Sequence, residues 1–394
     1  MPATSSRRCR LSPPAIVCPL GHQLDQVADG LFAGRSGLVE EAALIPGRRV
    51  PVGRVEGELP RAHDWPIGLR TRNNLLLAMA LERLNPELEA LRERMPKARI
   101  AVVIGTSTSS IAEGERAVMQ RGRDGTWPPD FRYATFELGS AARFALDHLG
   151  LDGPGYTIST ACTSSAKALS SARRLLASGG YDAVIAGGVD TLCGLTLNGF
   201  ASLEVISDHP CLPFSANRAG INIGEAAALF LVTAEPGGVQ LSGYGESSDA
   251  HHISAPCPDG RGAEQAMRDA LEMASLSAAQ IDYLNLHGTA TLQNDAMEAI
   301  AVQRVFGSEL PCSSTKALTG HTLGACGALE AAFCWLSLHH AQMPPHRFDG
   351  KIDPSLPALN LTAGGAFEGR RVMSNSFGFG GNNISLIMER SDAA

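Results

Sequence analysis

One stretch of the chain combines a potential nucleophile with a setting that would activate it. Residues 157–166 predict the end of a buried strand, followed from Cys162 by a helix of small residues. A cysteine at a helix N-terminus lies beside free backbone N–H groups and the positive end of the helix dipole, which favour a thiolate. The same N–H groups could hold an oxyanion. The pattern indicates a catalytic nucleophile; the alternative is a small buried cysteine in a core helix.

Three further features lie where predicted strands end. His287 closes the strand of residues 281–288, Lys316 and His321 flank a Gly-containing turn, and residues 377–383 form a Gly-rich turn between two strands. Taken singly they have plainer explanations: a polar strand end, a solvated loop charge and a tight hairpin. Because open α/β sheets place ligands at strand ends, strands that run the same way would bring all these residues to one edge. Together they predict one active site.

The elements that must position these residues alternate along the chain. Continuous apolar runs predict buried strands at residues 99–106, 182–188, 226–232 and 239–244, and amphipathic or small-residue helices are predicted at 75–95, 140–148, 162–177, 263–274, 295–306 and 323–338. Residues 121–131 are expected to form an exposed loop. The alternation predicts a layered α/β fold with a largely parallel sheet. The strand, turn and small-residue helix around Lys316 repeat the plan around Cys162, which suggests a duplicated unit with a seam near residues 235–238.

Composition limits the class of protein. Of 394 residues, 44% are hydrophobic and 19% charged, and the net charge of -7 gives no case for nucleic acid or an anionic membrane. The nine cysteines contain no C-x-x-C pair, which favours a reducing, cytoplasmic location over a disulfide framework or a zinc site. No apolar run is long enough to span a membrane. His251 and His252 are adjacent and would point oppositely on an extended segment, so we predict no metal.

At these positions the sequence resembles the β-ketoacyl-[acyl-carrier-protein] synthases, the elongating Cys-His-His condensing enzymes of the thiolase superfamily. The motifs that carry the resemblance run in order from about residue 15 to residue 388: residues 160–165, Pro213-Phe214 with Gly224-Glu225, residues 248–252, residues 287–291 with Asp295 and Glu298, Lys316-x4-His321 with Glu330, and residues 375–383. The resemblance implies a thiolase-like duplicated layered α-β-α-β-α fold. It also implies an N-terminal half, residues 1–236, that carries the nucleophile, and a C-terminal half, residues 237–394, that carries both catalytic histidines and the lysine.

The resemblance further implies a decarboxylative Claisen condensation. Cys162 would receive an acyl group from acyl carrier protein, and His287 and His321 would stabilise the enolate that forms when malonyl-carrier protein loses CO2. The oxyanion of the acyl carbonyl would lie between the backbone N–H groups of Cys162 and Phe379. Lys316 is expected to orient His321 and to tune it electrostatically, with Glu330 as the counter-charge.

The remaining expected roles concern substrate and partners. Thr289 and Thr291 are candidates to hydrogen-bond the pantetheine arm, with strand-end capping as the alternative; Phe377, Gly378 and Gly380 complete the expected substrate-binding set, and Asp295 and Glu298 are expected to support it. Basic side chains would steer the acidic carrier protein to the pocket, and the docking candidates are Arg70, Arg72, Arg121 and Arg123. No cofactor is expected beyond the phosphopantetheine arm of the carrier protein. The expected assembly is a homodimer or a ketosynthase heterodimer.

Other readings leave motifs unexplained. A degradative thiolase needs a second catalytic cysteine near the C-terminus, whereas the last cysteine is Cys334, inside a predicted helix. A Cys-His hydrolase has no use for Lys316 or the 377–383 turn. A non-catalytic chain-length-factor subunit typically lacks the nucleophile. The pathway stays open between fatty-acid elongation and polyene (aryl-polyene-like) or polyketide assembly; the short N-terminal segment and the 287–291 turn favour a specialised pathway.

Overall fold

The structure, a computed structural model, describes residues 8–391; the outermost residues of both predicted halves, 1–7 and 392–394, lie outside it. The first half of the chain contains β1 (Arg10–Leu11), β2 (Ala15–Val17), α1 (Leu24–Phe32), β3 (Leu38–Glu41), β4 (Val50–Gly53), α2 (Arg72–Arg94), β5 (Ile100–Gly105), α3 (Ile111–Asp124), α4 (Ser140–Leu149), β6 (Gly155–Ile158), α5 (Ser164–Ser178), β7 (Ala183–Asp190), α6 (Gly194–Ser202) and β8 (Ala226–Thr233). The second contains β9 (Gly238–Ser248), α7 (Arg261–Ala274), β10 (Tyr283–Asn285), α8 (Leu292–Phe306), β11 (Pro311–Ser313), α9 (Lys316–Thr319), α10 (Cys326–His340), β12 (Gln342–Met343), β13 (Asn360–Leu361), β14 (Gly365–Ala366), β15 (Arg371–Gly378) and β16 (Asn382–Ser391).

The main sheet is mixed. Its strands run in the order β13-β11-β10-β15-β16-β9-β1-β8-β7-β5-β6, with β2 paired to β8. The outer strands are parallel: β5 pairs with β6 and β7, and β10 with β11 and β15. The central pairs, from β15 through β16, β9, β1 and β8 to β7, are antiparallel. The expectation of a largely parallel sheet is therefore wrong for the centre, where β16 follows β15 through a short turn and β1 inserts between β8 and β9, so that these pairs need no crossover helix.

The same plan occurs twice. Strands β6-β5-β7-β8 and β11-β10-β15-β16 each combine three parallel strands with one antiparallel strand. Helices α5 and α10 pack against each other, and each contacts strands of both groups. Helices α2 and α4 cover the outer face of the first group, and α7, which packs against α8, covers β16 of the second group and the neighbouring strand β9. The result is a thiolase-like, layered α-β-α-β-α fold.

Small side chains let the two central helices approach closely. On α5, Ala166, Ala168 and Ala172 are fully buried. A Cβ on Gly327 of α10 would lie 2.6 Å from Cβ of Ala166, closer than real carbon atoms approach. A larger residue there would push the helices apart, and the residues that precede each helix with them.

Helix α3, which the sequence did not predict, extends into the expected loop of residues 121–131. It continues to Asp124 and ends at Gly125, whose φ of +74° gives the left-handed cap that glycine favours. Arg121 and Arg123 therefore lie in the last turn of a helix and not in the expected loop. Within residues 8–391, no helix is both long and apolar enough to cross a membrane.

Candidate active site

Cys162 lies on a sharp turn between β6 and α5. The preceding residue, Ala161, has a φ of +53°, a strained value for a residue with a side chain. Side-chain hydrogen bonds hold the turn: Ser164 Oγ donates to the Ala161 carbonyl, and the Thr160 N–H donates to Ser164 Oγ. The Cys162 side chain is 7% exposed, and its Sγ lies 2.9 Å from Nε2 of His321. The turn therefore aims the sulfur at an imidazole.

The resting form of Cys162 is the thiol. Burial raises the pKa of Cys162 to about 11, and the charge of Lys316 and the backbone N–H groups of Phe379 and Cys162 only partly oppose it. Desolvation of the sulfur thus outweighs these stabilising groups, and the pKa shifts in the opposite direction to the one expected at a helix N-terminus. The nucleophile needs a proton acceptor, and His321 is within reach.

The two imidazoles are neutral and adjacent. The rings of His287 and His321 cross at 85° with centroids 5.2 Å apart. Burial, and then the positive charge of Lys316, lower the pKa of both histidines well below 6.5. A neutral imidazole has one N–H to donate and one lone pair to accept, so each ring can either bond an oxyanion or receive a proton.

Backbone contacts fix the positions of both histidines. Glu298 on α8 accepts from the N–H groups of His287 and Gly288 at 2.8 and 2.7 Å. The N–H of His321 donates to the Asn222 carbonyl at 2.7 Å, and the His321 carbonyl accepts from Gly224 at 2.9 Å. Burial raises the pKa of Glu298 to about 7, opposed by these hydrogen bonds. The rings are thus carried on turns that the rest of the fold immobilises.

Lys316 contacts His287 and not the ring of His321. Its ammonium Nζ donates to the His287 carbonyl at 2.7 Å and forms a buried ion pair with Glu330 on α10. Burial lowers the pKa of Lys316, but the Glu330 carboxylate more than offsets this, so the ammonium stays protonated. Burial also raises the pKa of Glu330 to about 7. The orienting contact expected with His321 is therefore made with the His287 turn, although the charge reaches both rings.

The Gly-rich turn between β15 and β16 packs directly on the nucleophile. A Cβ on Gly378 would lie 3.2 Å from the Cys162 nitrogen and 3.3 Å from the Thr160 carbonyl oxygen, so the backbones need glycine to approach this closely. The Phe379 N–H lies close enough to the Cys162 sulfur to lower the pKa of the thiol. Gly380 has a φ of +79° and donates its N–H to the Ile253 carbonyl at 2.7 Å. Two backbone N–H groups, those of Phe379 and Cys162, thus lie beside the sulfur, where they could reach the carbonyl oxygen of an acyl group bound to it.

A cavity opens above Cys162. Thr289, Thr291, Phe377, Gly378 and Phe379 line it together with the two histidines. The hydroxyls of Thr289 and Thr291 lie 3.1 Å apart, and Thr291 also accepts from the Asn294 N–H at the start of α8. Thr291 therefore faces the cavity and caps a helix at once.

The turn below these threonines is held by Asp295. This carboxylate accepts from the N–H groups of Phe214 and Ala290 at 2.7 and 3.2 Å. Burial raises the pKa of Asp295 to about 6.

Several cavity residues carry no sequence signal. Phe200 on α6 stacks obliquely on Phe379, with ring centroids 5.4 Å apart, and Val205, Ile221 and Asn383 also line the cavity. Phe200, Val205 and Ile221 belong to no sequence motif, so only the folded structure shows that they line the cavity. Asn383 is the one of the four that belongs to the 375–383 motif.

The four candidate docking arginines do not surround the cavity. A second cavity, which shares Val205, Thr291 and Phe379 with the first, forms its outer mouth, and none of the four lines either. Arg72 donates to the buried carboxylate of Glu225 at 2.9 Å. Arg70 donates to the Trp65 and His63 carbonyls, Arg121 covers the ring of Trp127 at 4.5 Å, and Arg123 is exposed. Docking through these residues stays a prediction.

Two groups of side chains in the described part of the chain have the spacing of metal ligands. One potential ligand atom from each of Cys162, His287 and His321 lies within 4.8 Å of the others, as do those of His287, Cys326 and Glu330. In the second group the carboxylate of Glu330 already forms an ion pair with the ammonium of Lys316. The absence of a resident metal stays a prediction.

Comparison with known proteins identifies the family. The β-ketoacyl synthase N-terminal domain matches residues 74–236, and the C-terminal domain matches residues 239–347. The 3-oxoacyl-[acyl-carrier-protein] synthase 2 of Rhizobium meliloti is 39% identical over 261 residues, which are 61% of this chain and 62% of that protein. The match thus spans less than two thirds of this relative.

Two further relatives match over nearly their whole length. A Schizosaccharomyces pombe mitochondrial protein named as a 3-oxoacyl-[acyl-carrier-protein] synthase is 30% identical over 95% of this chain and 97% of its own. The ketosynthase ApeO of Xenorhabdus doucetiae, solved in complex with its chain length factor ApeC, superposes with a TM-score of 0.94 and 44% identity over 98% of both chains. These matches confirm the resemblance carried by the motifs. The chain belongs to the β-ketoacyl synthase family.

Proposed function

We propose that this protein is a β-ketoacyl-[acyl-carrier-protein] synthase, an acyltransferase that joins an acyl group on Cys162 to a malonyl group on acyl carrier protein with loss of CO2. The contact of 2.9 Å between Sγ of Cys162 and Nε2 of His321 carries the proposal, because it couples a buried thiol to a neutral base. A chain-length-factor subunit without catalysis would not need this contact.

In the first half-reaction the thiol of Cys162 gives its proton to Nε2 of His321 as the sulfur attacks the acyl thioester. The N–H groups of Cys162 and Phe379 bond the oxyanion that forms. The thioester bond to the carrier protein then breaks, and the departing thiolate takes the proton from His321. Acyl-Cys162 and the free thiol of the carrier protein are the products.

In the second half-reaction malonyl-carrier protein loses its carboxylate as CO2. The electron pair left behind forms an enolate, whose oxygen accepts hydrogen bonds from the N–H groups of His287 and His321; for this step His321 carries its proton on Nε2, the tautomer opposite to the one that accepts the thiol proton. Its carbon attacks the carbonyl of acyl-Cys162, the thioester bond breaks, and the sulfur leaves and takes up a proton. Two neutral donors suit this step because the negative charge develops only in the transition state.

In this proposal, buried groups that do not contact the substrate hold Cys162 and the two histidines in position. The charge of Lys316, balanced by Glu330, favours negative charge at the sulfur and the enolate. Glu298 and Asp295 fix the turn that carries His287, Thr289 and Thr291. The pantetheine arm would pass the two threonines together with Phe377 and Gly378, which line the same cavity, while Gly380 lines neither cavity and shapes the turn beside them.

The proposal extends to partners and compartment. The reaction needs acyl carrier protein and no cofactor beyond its phosphopantetheine arm. All nine cysteines are free thiols, which suits the cytoplasm. We propose that the chain divides into two halves: residues 1–236, which carry Cys162, and residues 237–394, which carry Lys316 and both histidines.

A second subunit is also part of the proposal. Within residues 8–391, β6 pairs only with β5, so its other edge is open to a strand of another chain. Val118 and Met119 on α3 and Leu195 on α6, which packs against α3, are each about 60% exposed. ApeO was solved with its chain length factor, and at 44% identity this similarity supports a heterodimer over a homodimer. The specialised polyene or polyketide pathway favoured by the 287–291 turn stays part of the proposal.

Intact-protein mass spectrometry tests the proposal. The protein, alone and with a co-expressed partner subunit, is incubated with a panel of acyl-carrier proteins that carry saturated, polyunsaturated and aryl-substituted chains. We expect a mass increase equal to one acyl group, located on Cys162, and a β-ketoacyl product after malonyl-carrier protein is added. No acylation by any member of the panel would contradict the proposal.

A further inference from the structure

A buried carboxylate lies beneath the active site, outside the motifs identified in the sequence. Asp190 is the last residue of β7 and is fully buried. Oδ1 accepts from the hydroxyls of Thr106 and Thr108 at 2.6 and 2.7 Å and from the Thr108 N–H at 2.7 Å. Oδ2 accepts from the N–H of Ser107 at 2.9 Å and of Gly324 at 2.6 Å. The acceptor capacity of one carboxylate is thus used by two separate loops.

These two loops lead to the reacting atoms. The first follows β5, and its Ser107 Oγ donates to the carbonyl of Ala161, the residue before the nucleophile. The second contains Gly324, three residues after His321. A Cβ on Gly324 would lie 2.6 Å from Oδ2 of Asp190 and 2.7 Å from the Ser107 nitrogen, so the loops touch at the carboxylate. Asp190 therefore links the residue before Cys162 to the turn that carries His321.

Three residues with left-handed backbones lie in these two loops and in the turn before Cys162. Ser109, Ala161 and Leu323 have φ values of +47°, +53° and +52°. Such conformations persist in residues with side chains only where the surroundings enforce them, and they cluster at functional sites. Each of the three lies within two residues of a hydrogen bond to Asp190 or to its partner Ser107.

We propose that Asp190 is a positioning residue, which sets the distance between Sγ of Cys162 and the ring of His321 by clamping the two loops together. The inference rests on the proposed condensation for its kinetic consequence, but the geometry that it predicts is independent of that reaction. Thr289 and Thr291 lie on a turn held by Asp295 and not by Asp190. Loss of the clamp should therefore slow catalysis without weakening substrate binding.

The test compares Asp190→Asn with Gly324→Ala. In Asp190→Asn the amide NH2 must face at least one N–H group, so one loop is released; in Gly324→Ala the new methyl group pushes against the carboxylate from the other side. We expect kcat for condensation to fall by about a hundredfold in Asp190→Asn, as displaced reacting groups do, with KM for both carrier-protein substrates within twofold of wild type. We also expect the rate of Cys162 alkylation by iodoacetamide to change in both variants.

Matched variants separate positioning from loss of fold. Asp282→Asn removes a carboxylate that accepts from the N–H groups of Arg370 and Arg371, at the opposite end of β10 from His287, and should leave both rates unchanged. Thr108→Val removes one hydroxyl donor and should give a smaller decrease in kcat, which keeps the test open if Asp190→Asn does not fold. Folded Gly324→Ala and Thr108→Val proteins with wild-type kcat and alkylation rates would overturn the proposal. A wild-type protein that never condenses would instead count against the proposed function, and the alkylation rates would still decide the role of Asp190.

Discussion

Sγ of Cys162 and Nε2 of His321 lie 2.9 Å apart, although 159 positions separate the two residues in the chain. Each residue precedes one of the two central helices, α5 and α10. The close packing of those helices at Ala166 and Gly327 brings the two turns near each other. Substitutions that alter this relationship, or the charges around it, give distinct expected outcomes.

Replacement of Cys162 by alanine should abolish acylation and condensation. The neighbouring thiol of Cys326 donates to the Cys162 carbonyl at 3.1 Å and is a matched control. We expect Cys326→Ala to keep acyl transfer, since its sulfur takes no part in the reaction. Transfer of radiolabelled acyl groups from carrier protein measures both variants. Label that remains bound to Cys162→Ala would show that another residue is the nucleophile.

The alkylation rate of Cys162 should rise steadily with pH. Because burial raises the pKa of Cys162 to about 11, the thiolate fraction is small at neutral pH and increases as the pH rises. We expect the logarithm of the iodoacetamide rate constant to increase by about one per pH unit from about pH 7 to about pH 10. Mass spectrometry of the alkylated protein gives the rate, with Cys162→Ala correcting for the other thiols. A plateau near neutral pH would mean a lowered pKa instead.

Loss of one partner of the Lys316–Glu330 ion pair should destabilise the fold. In Lys316→Met the carboxylate of Glu330 loses its cation in a fully buried position, which costs about 3–5 kcal/mol in similar cases. The double variant Lys316→Met/Glu330→Leu removes both charges and should recover most of the free energy of unfolding. Urea denaturation measures the stability of both. Additive losses in the double variant would contradict a coupled pair.

In these Lys316 and Glu330 variants, catalytic activity should not recover together with the free energy of unfolding. We expect malonyl decarboxylation to remain low in the double variant even where its stability returns, because the positive charge near the sulfur and the imidazoles is gone. Full decarboxylation by a stable double variant would show that Lys316 serves only the fold.

Gly378→Ala should slow the reaction with little loss of stability. The new methyl group would lie 3.2 Å from the Cys162 nitrogen, a distance at which the turns must move apart by a few tenths of an ångström. Because the oxyanion hole depends on the spacing of these two turns, we expect kcat to fall by about tenfold. Gly122→Ala, on α3 with open space around it, is the control and should leave kcat unchanged. Equal kcat values would mean that the Phe379 N–H does not act on the oxyanion.

The sequence predicted where the catalytic residues lie in the fold better than it predicted their pKa values and contacts. Strand ends at Cys162 and His287 could be read from apolar runs and turn residues, because these are local patterns. The pKa of Cys162 could not, since it depends on the solvent that the whole fold excludes. The contact of Lys316 with the His287 carbonyl depends on the distance between two turns that no local pattern records.

Long-range pairing explains the other differences. The antiparallel centre of the sheet joins strands from both halves of the chain, so no single helix-strand unit predicts it. Asp190 follows a Gly-Gly pair and belongs to no sequence motif. It gains its hydrogen-bond partners only when folding brings the Thr106 and Gly324 loops to it. Phe200 likewise acquires its role only from its contact with Phe379.

Strand β1 has a consequence for how the molecule assembles. It consists of Arg10 and Leu11 and lies between β8 and β9, so that Arg10 is paired with both Thr233 and Gln240. A ribosome exposes these residues early, but their partners emerge more than two hundred residues later. The segment must therefore wait unpaired through most of translation, and its insertion belongs to the slow, non-local steps of folding. Recovery of activity after refolding should accordingly lag behind the recovery of helix.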